Sequence, residues 1–161
     1  MIVKHDHAVG SQDMADAPPG LSEWTGYLLV KCGWWLQRMT EVALKELDLR
    51  DRHLIALVML NADDGLAQQD LVRHMSLDPT LVVALVDDLE DKGLCERARH
   101  PDDRRRHVIQ LTAKGRKVYR EARALAVKVG EEIFAPLERS ERAQLTAMLK
   151  RLMAPLWLRP R

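Results

Sequence analysis

Two short helical patterns separated by only three residues constrain the fold of this chain more than any other feature. In residues 68–75 and 79–92, apolar side chains recur three or four positions apart, which is the spacing of one helix face. Asp78 followed by Pro79 is a typical helix start, and Gly93 is a typical helix end. A joint this short leaves room only for a tight turn, so the sequence predicts a helix-turn-helix.

The period of the apolar pattern changes to two directly after this pair of helices. Residues 94–97 and 108–111 predict two short strands, and the polar, basic segment 98–107 predicts the long tip of a β-hairpin. Further helical patterns run from Leu21 over about 25 residues, from Asp51 to about Leu60, from Thr112 to about Phe134, and over residues 140–152. The predicted fold class is therefore mainly α with a small β-hairpin.

Two details of this fold follow from local spacing alone. We expect the second helix of the pair to pack through a stripe of leucines with flanking valines, namely Leu81, Leu85, Leu89, Val82 and Val86. We expect Gly65, which follows the helix that starts at Asp51, to adopt a left-handed or turn conformation.

The charge of the chain is distributed unevenly. Its formal net charge of +1 would by itself argue against a polyanionic partner. Residues 1–96, however, carry a net charge of −9, whereas residues 97–120 carry +7, because the segment 99–107 reads Arg-His-Pro-Asp-Asp-Arg-Arg-Arg-His. A basic hairpin tip beside a helix-turn-helix suits double-stranded DNA, with the second helix in the major groove and the tip on phosphates or in the minor groove.

Three blocks of residues together resemble the MarR family of transcriptional regulators. They are Asp103-Arg104-Arg105 with Leu111-Thr112-Ala113-Lys114-Gly115 six residues on, the run from Leu89 to Arg97, and Gln69-Asp70-Leu71. The similarity extends over about residues 21–155. It implies a cytoplasmic, nucleoid-associated homodimer whose N- and C-terminal helices interlock. It also implies a repressor that binds a pseudo-palindromic operator and is released by a small aromatic or phenolic ligand.

The resemblance assigns roles to individual residues of the lobe. Arg105 would enter the minor groove, so Arg105→Ala should weaken binding to all DNA sequences. Asp103 would pair with an arginine and organise the tip of the wing. We expect further DNA contacts from Gln69, Thr80, Arg99, Arg104, Arg106 and His107.

The recognition helix departs from the family pattern at three positions. Val83 and Ala84 stand where polar residues are usual, so they are left to contact thymine methyl groups. Asp88 stands where a basic residue is usual. A carboxylate there is unfavourable near phosphates unless it faces a basic neighbour.

The first long helix is apolar outside its main stripe as well, at Leu29, Val30, Cys32 and Trp35. A helix of this kind is buried on both faces, and in a chain of 161 residues one face is expected to meet a second subunit. We therefore divide the chain into a flexible leader (residues 1–20), helical dimerisation regions (residues 21–48 and 117–161) and a winged helix-turn-helix DNA-binding lobe (residues 49–116).

Trp34, Trp35, Arg38 and His53 lie where the resemblance places a ligand pocket. An aromatic wall with one arginine and one histidine suits an aromatic carboxylate or a phenol, and ordinary core packing is the alternative. Cys32 is a candidate redox site, because some relatives sense peroxide through a cysteine in this helix. A buried structural cysteine is the alternative there, and Cys95 is expected to serve in packing.

Several function classes lack their sequence signatures. We find no nucleophile elbow, P-loop, dinucleotide fingerprint or HExxH, so we expect no enzyme, cofactor or metal site. No apolar run approaches the ~18 residues of a membrane helix, so we expect no membrane partner. Two alternatives stay open: a winged-helix protein-interaction module with weak or non-specific DNA binding, and a cysteine-based redox-sensing regulator.

Overall fold

The computed structural model describes residues 20–63, 65–99 and 107–157. In chain order, these residues form α1 (Thr25–Leu44), α2 (Asp51–Ala62), α3 (Gln68–Met75), α4 (Pro79–Asp91), β1 (Cys95–Arg99), β2 (His107–Leu111), α5 (Ala113–Ile133) and α6 (Arg139–Trp157). Short 3-10 turns, Leu21–Glu23 and Lys45–Leu47, flank α1. The predicted fold class is confirmed. The described residues fall into two compact units, a first unit that ends at Met39 and a second unit that begins at Thr40.

The core of the second unit is aliphatic, and α4 supplies much of it. The side chains of α4 that are buried are Val82, Leu85, Val86 and Leu89. The prediction that Leu81 belongs to this stripe is wrong, because Leu81 is 49% exposed. The predicted set with Leu81 and the observed set without it both fit helical spacing. At about 3.6 residues per turn the four buried residues occupy a narrower arc of the helix surface, and Leu81 lies outside that arc.

Local chemistry fixes both ends of α4. The Asp78 carboxylate accepts the backbone N–H of Thr80 at 2.8 Å, so Asp78 is the predicted N-cap. At the other end Gly93 adopts a φ of 68°, and its N–H donates to the carbonyl of Glu90 at 2.7 Å. The helix therefore starts and stops at the predicted residues, since glycine takes this left-handed conformation without strain.

The hairpin pairs β1 with β2 in an antiparallel register that runs from Cys95 opposite Leu111 to Arg99 opposite His107. Leu66 adds a short third segment, because its N–H and carbonyl both bond to Ile109, at 3.2 and 2.8 Å. This bridge was not predicted.

Gly65, directly before the bridge at Leu66, does not have the predicted left-handed backbone, since its φ is not positive. A β-carbon on Gly65 would instead lie 3.0 Å from the Val108 side chain. A small residue is therefore required at Gly65 because its backbone lies close to the hairpin, and not because the chain turns there.

The start of α5 is locked to the end of α4 and the beginning of the hairpin. Thr112 caps α5 by accepting the N–H of Gly115 at 2.9 Å, and its hydroxyl donates to the carbonyl of Gly93 at 2.7 Å. Its own N–H donates to the carbonyl of Leu94 at 3.1 Å. The predicted helix start is confirmed, and the threonine joins three elements at one point.

Large apolar side chains are exposed on α6 and in the first unit. On α6 these are Met148, Leu152 and Met153, and in the first unit Trp24, Leu29, Val30 and Trp34. None of the helices in the described part of the chain combines the length and the apolarity that a membrane crossing needs.

Candidate nucleic-acid interface

The surface of α4 opposite its buried stripe is exposed and carries most of the predicted base contacts. Thr80, Val83 and Ala84 all lie on it, together with Leu81. The stripe of four buried side chains fixes the helix on the lobe, so these residues are presented outward as one surface. Gln69 is exposed in the first turn of α3.

Two predicted DNA contacts lie at the end of the hairpin that leads to the basic tip. Arg99 and His107 are exposed and stand directly opposite each other in the register of β1 and β2. The tip itself, with Asp103, Arg104, Arg105 and Arg106, lies outside the described residues, and the roles of these four side chains stay predictions.

Asp88, the unexpected carboxylate of the recognition helix, has basic neighbours. Its Oδ2 lies 2.9 Å from Nε2 of His53, and its Oδ1 lies 3.5 Å from Nζ of Lys92. Lys92 also bonds to the carboxylate of Asp48, which raises the pKa of the lysine and lowers that of Asp48. Asp88 therefore faces basic neighbours within the lobe, which is the condition for a carboxylate at this position near phosphates.

The imidazole of His53 is buried, with only 2% of the residue exposed. Its Nδ1 accepts the backbone N–H of Arg50 at 3.0 Å. Arg50 is the N-cap of α2 and His53 lies in the first turn, so this bond is one half of a capping box. Nδ1 therefore carries no proton, and Nε2–H faces Asp88 without the alignment of a full hydrogen bond. Burial lowers the pKa of His53, and the negative charge of Asp88 opposes this effect. The predicted part of His53 in a ligand pocket stays a prediction.

Arg97 joins the wing to the recognition helix, a role that the sequence patterns did not reveal. One guanidinium nitrogen bonds to Oε2 of Glu90 and another to Oδ1 of Asp87 at 2.6 Å, while the backbone N–H of Arg97 donates to Oε1 of Glu90 at 2.9 Å. A single arginine thus holds two carboxylates of α4 against β1.

An aromatic and cationic cluster lies on α1. The rings of Trp34 and Trp35 meet edge to face with centroids 4.9 Å apart. The guanidinium of Arg38 and the ammonium of Lys31 lie 5.6 and 5.8 Å from the centroid of Trp34, and Lys31 is also 5.9 Å from that of Tyr27. Three of the four predicted ligand residues are therefore adjacent within the first unit.

The two cysteines have different surroundings. Cys95 is buried in the core, and burial raises the pKa of its thiol to about 11, which confirms its role in packing. Cys32 is exposed, and its redox role stays a prediction. Across residues 20–63, 65–99 and 107–157, no group of three or more His, Cys, Asp or Glu side chains is arranged to hold a metal ion.

Comparison with known proteins agrees with this geometry. The sequence profile of the MarR family matches residues 50–107. HTH-type transcriptional repressor Rv2887 of Mycobacterium tuberculosis is 30% identical over 127 residues, which cover 79% of this chain and 91% of the repressor.

Two solved structures are similar to this one. CouR of Rhodococcus jostii RHA1 bound to p-coumaroyl-CoA has a TM-score of 0.78 at 28% identity, covering 89% of this chain and 99% of CouR. Rv2887 in complex with p-aminosalicylic acid has a TM-score of 0.67 at 29% identity, covering 84% of this chain and 98% of Rv2887. On these sequence and structural similarities, the chain belongs to the MarR family of transcriptional regulators.

Proposed function

We propose that this chain is a homodimeric repressor that binds a pseudo-palindromic operator in the cytoplasm, at the nucleoid, and that a small aromatic acid releases it. The observation that carries the proposal is that one lobe exposes both the outer face of α4 and, at the end of the hairpin that leads to the basic segment, Arg99 and His107. Arg97 of β1 joins this hairpin to α4 through Asp87 and Glu90. The proposal assigns no catalytic step to the chain.

Salt-dependent DNA binding tests this surface. Arg99→Ala removes one cation that can displace a counterion from DNA, so the slope of log affinity against log salt should fall by about one. Arg139→Ala removes the same charge from an exposed position at the start of α6 and should leave the slope unchanged. The operator is first selected from random DNA. A protein that selects no sequence and binds no DNA at low salt would contradict the proposal and favour a protein-interaction module.

A second copy of the chain is the partner that we propose for the exposed apolar side chains of α1 and α6. Leu152 of α6 is 60% exposed, and an apolar side chain of this size is favourably covered by an interface. Light scattering should give twice the chain mass of 18.4 kDa. Leu152→Glu should shift the mass toward one chain, whereas Leu81→Glu on the outer face of α4 should not. A wild-type protein at the mass of one chain would contradict the dimer.

The cluster on α1 supports an aromatic, anionic ligand. Trp34 is 48% exposed and offers a ring face, while Lys31 and Arg38 offer positive charge beside it. The similarity to proteins crystallised with p-coumaroyl-CoA and p-aminosalicylic acid supports the same ligand class.

Tryptophan fluorescence tests this part of the proposal. Salicylate and p-coumarate should quench the wild-type emission and lower operator affinity. Trp34→Phe should lose the ligand-dependent change, whereas Trp24→Phe should keep it. Arg38→Gln should weaken binding of the acids but not of their neutral amides. If no aromatic acid alters either fluorescence or operator affinity, the ligand proposal is wrong.

A further inference from the structure

The exposed surface of the recognition helix α4 divides into two halves of different chemistry. The first half carries Thr80, Leu81, Val83 and Ala84, with Leu81 49% and Val83 38% exposed. The second half carries the carboxylates of Asp87, Asp88, Glu90 and Asp91. Apart from the hydroxyl near the helix start, the side chains exposed in the first half have no hydrogen-bonding group.

Three of the four carboxylates are directed toward cations of the lobe. Arg97 of β1 binds Asp87 and Glu90, and Asp88 lies 3.5 Å from the ammonium of Lys92 and also against the neutral imidazole of His53. These contacts offset part of the negative charge of the helix and occupy oxygens that could otherwise accept a hydrogen bond from the amino group of cytosine. Asp91, the remaining one, is the last residue of α4, a full turn beyond Asp87.

Recognition helices present mainly their N-terminal residues to the base edges of the major groove. Thymine is the base that offers a methyl group there, and its natural complement is an apolar side chain. We infer that Leu81, Val83 and Ala84 form an apolar reading surface that selects operator thymines through their C5-methyl groups, while the paired carboxylates take no part in base readout. This inference rests on the proposed DNA-binding function.

A protein-binding role for the same apolar surface is less well supported. The surface lies on the helix that the basic segment 97–120, with its net charge of +7, adjoins through β1. A partner that contacts both the apolar surface of α4 and the basic segment must be negatively charged and must also carry apolar groups at regular intervals. DNA with thymine methyl groups along its major groove has this combination.

Replacement of thymine by uracil in the selected half-sites tests the inference. Uracil lacks only the methyl group, so the base pairs and the minor-groove edge read by a wing are kept. Wild-type protein should bind the uracil probe about fourfold more weakly for each contacted methyl group, the value expected for one buried group of this size. Uracil placed outside the half-sites should have no effect.

Two variants separate methyl contact from changes in DNA shape. The double variant Leu81→Ala, Val83→Ala should bind the thymine probe more weakly and should distinguish it less from the uracil probe, because only Ala84 of the reading surface is unchanged. Alanine is at least as good a helix former as either residue, so α4 should stay folded, which circular dichroism checks. Arg99→Ala should weaken binding to both probes by the same factor and so preserve their ratio.

The experiments distinguish a failure of thymine methyl readout from a failure of the DNA binding on which it rests. A selected operator without thymine in its half-sites, equal binding of both probes, or an unchanged ratio in the double variant would each overturn methyl readout and leave DNA binding intact. Absence of binding to any DNA would overturn both. A thymine-to-uracil affinity ratio that falls in the double variant and is unchanged in Arg99→Ala is the expected result.

Discussion

Replacement of Gly115 by alanine should push the start of α5 away from the start of the hairpin. Gly115 lies in the first turn of α5, where its N–H is accepted by the Thr112 cap. A β-carbon at this position would lie 2.8 Å from the carbonyl carbon of Leu94 and closer still to the carbonyl oxygen. Since these are backbone atoms, no side-chain rotation can relieve the overlap.

The size of the effect follows from the contacts at this point. Carbon atoms need a separation of about 3.5 Å, so the two segments must move apart. That movement stretches the bonds from Thr112 to the carbonyls of Leu94 (3.1 Å) and Gly93 (2.7 Å), each contributing about 1 kcal/mol. Residual overpacking adds about 1–3 kcal/mol, and the better helix propensity of alanine recovers about 1 kcal/mol. The net loss is about 2–4 kcal/mol, which lowers Tm by roughly 4–16 °C.

Gly130→Ala in the same helix is the matched control. The nearest atoms to a β-carbon there belong to the Phe134 ring at 4.0 Å, an ordinary contact. This variant should gain up to about 1 kcal/mol from helix propensity. Urea unfolding followed by circular dichroism, at one fixed protein concentration, measures both variants against the wild type. If Gly115→Ala unfolds like the wild type, or if Gly130→Ala loses as much stability as Gly115→Ala, the packing argument is refuted.

Three further predictions concern buried or paired groups. Burial lowers the pKa of His53 from 6.5, so below this pH the unfolded chain binds a proton that the folded chain does not. The free energy of unfolding should therefore fall as pH drops below 6.5, by up to about 1.4 kcal/mol per pH unit. His53→Gln, which keeps an acceptor for the N-cap N–H of α2, should flatten that part of a pH series of urea titrations. Cys95, with its thiol pKa raised to about 11 by burial, should resist iodoacetamide near neutral pH until urea unfolds the lobe, as mass spectrometry of its peptide would show. Arg97→Ala should weaken DNA binding in a gel-shift titration more than Arg99→Ala does, because it leaves Asp87 and Glu90 uncompensated. Adding Asp87→Asn and Glu90→Gln to Arg97→Ala should remove this additional loss, because neither amide carries a charge.

The elements of the lobe could be predicted because their ends depend on local chemistry. Asp78 before Pro79, Gly93 after α4 and Thr112 before α5 each act on backbone groups within a few residues. Such short-range interactions leave a visible pattern of residue types, so the helix-turn-helix and the hairpin follow from the sequence.

Other features depend on packing between distant segments and leave no such pattern. Leu81 and Val82 are equally apolar, and only the position of α4 against the rest of the lobe decides which of them is buried. The sequence predicts a turn at Gly65 because glycine is common in turns, whereas contact with Val108 is what excludes a side chain there. The bridge from Leu66 to Ile109 likewise joins residues more than forty positions apart.

The internal pairing of charges changes how the net charge of the chain relates to its proposed partner. The segment 97–120 carries +7, but Arg97 within it faces two carboxylates of α4 and so contributes little to an external field. The −9 of residues 1–96 is likewise reduced near α4, where Arg97 faces Asp87 and Glu90 and where Lys92 lies near Asp88. The negative charge of residues 1–96 and the positive charge of residues 97–120 therefore both act at the proposed interface with less than their formal values. These pairings reduce the negative charge of the recognition helix that a polyanion would meet, while the cations from Arg99 onward supply the salt-dependent attachment. Affinity and base selection then reside in different elements, the wing and the apolar half of α4, and can be altered separately.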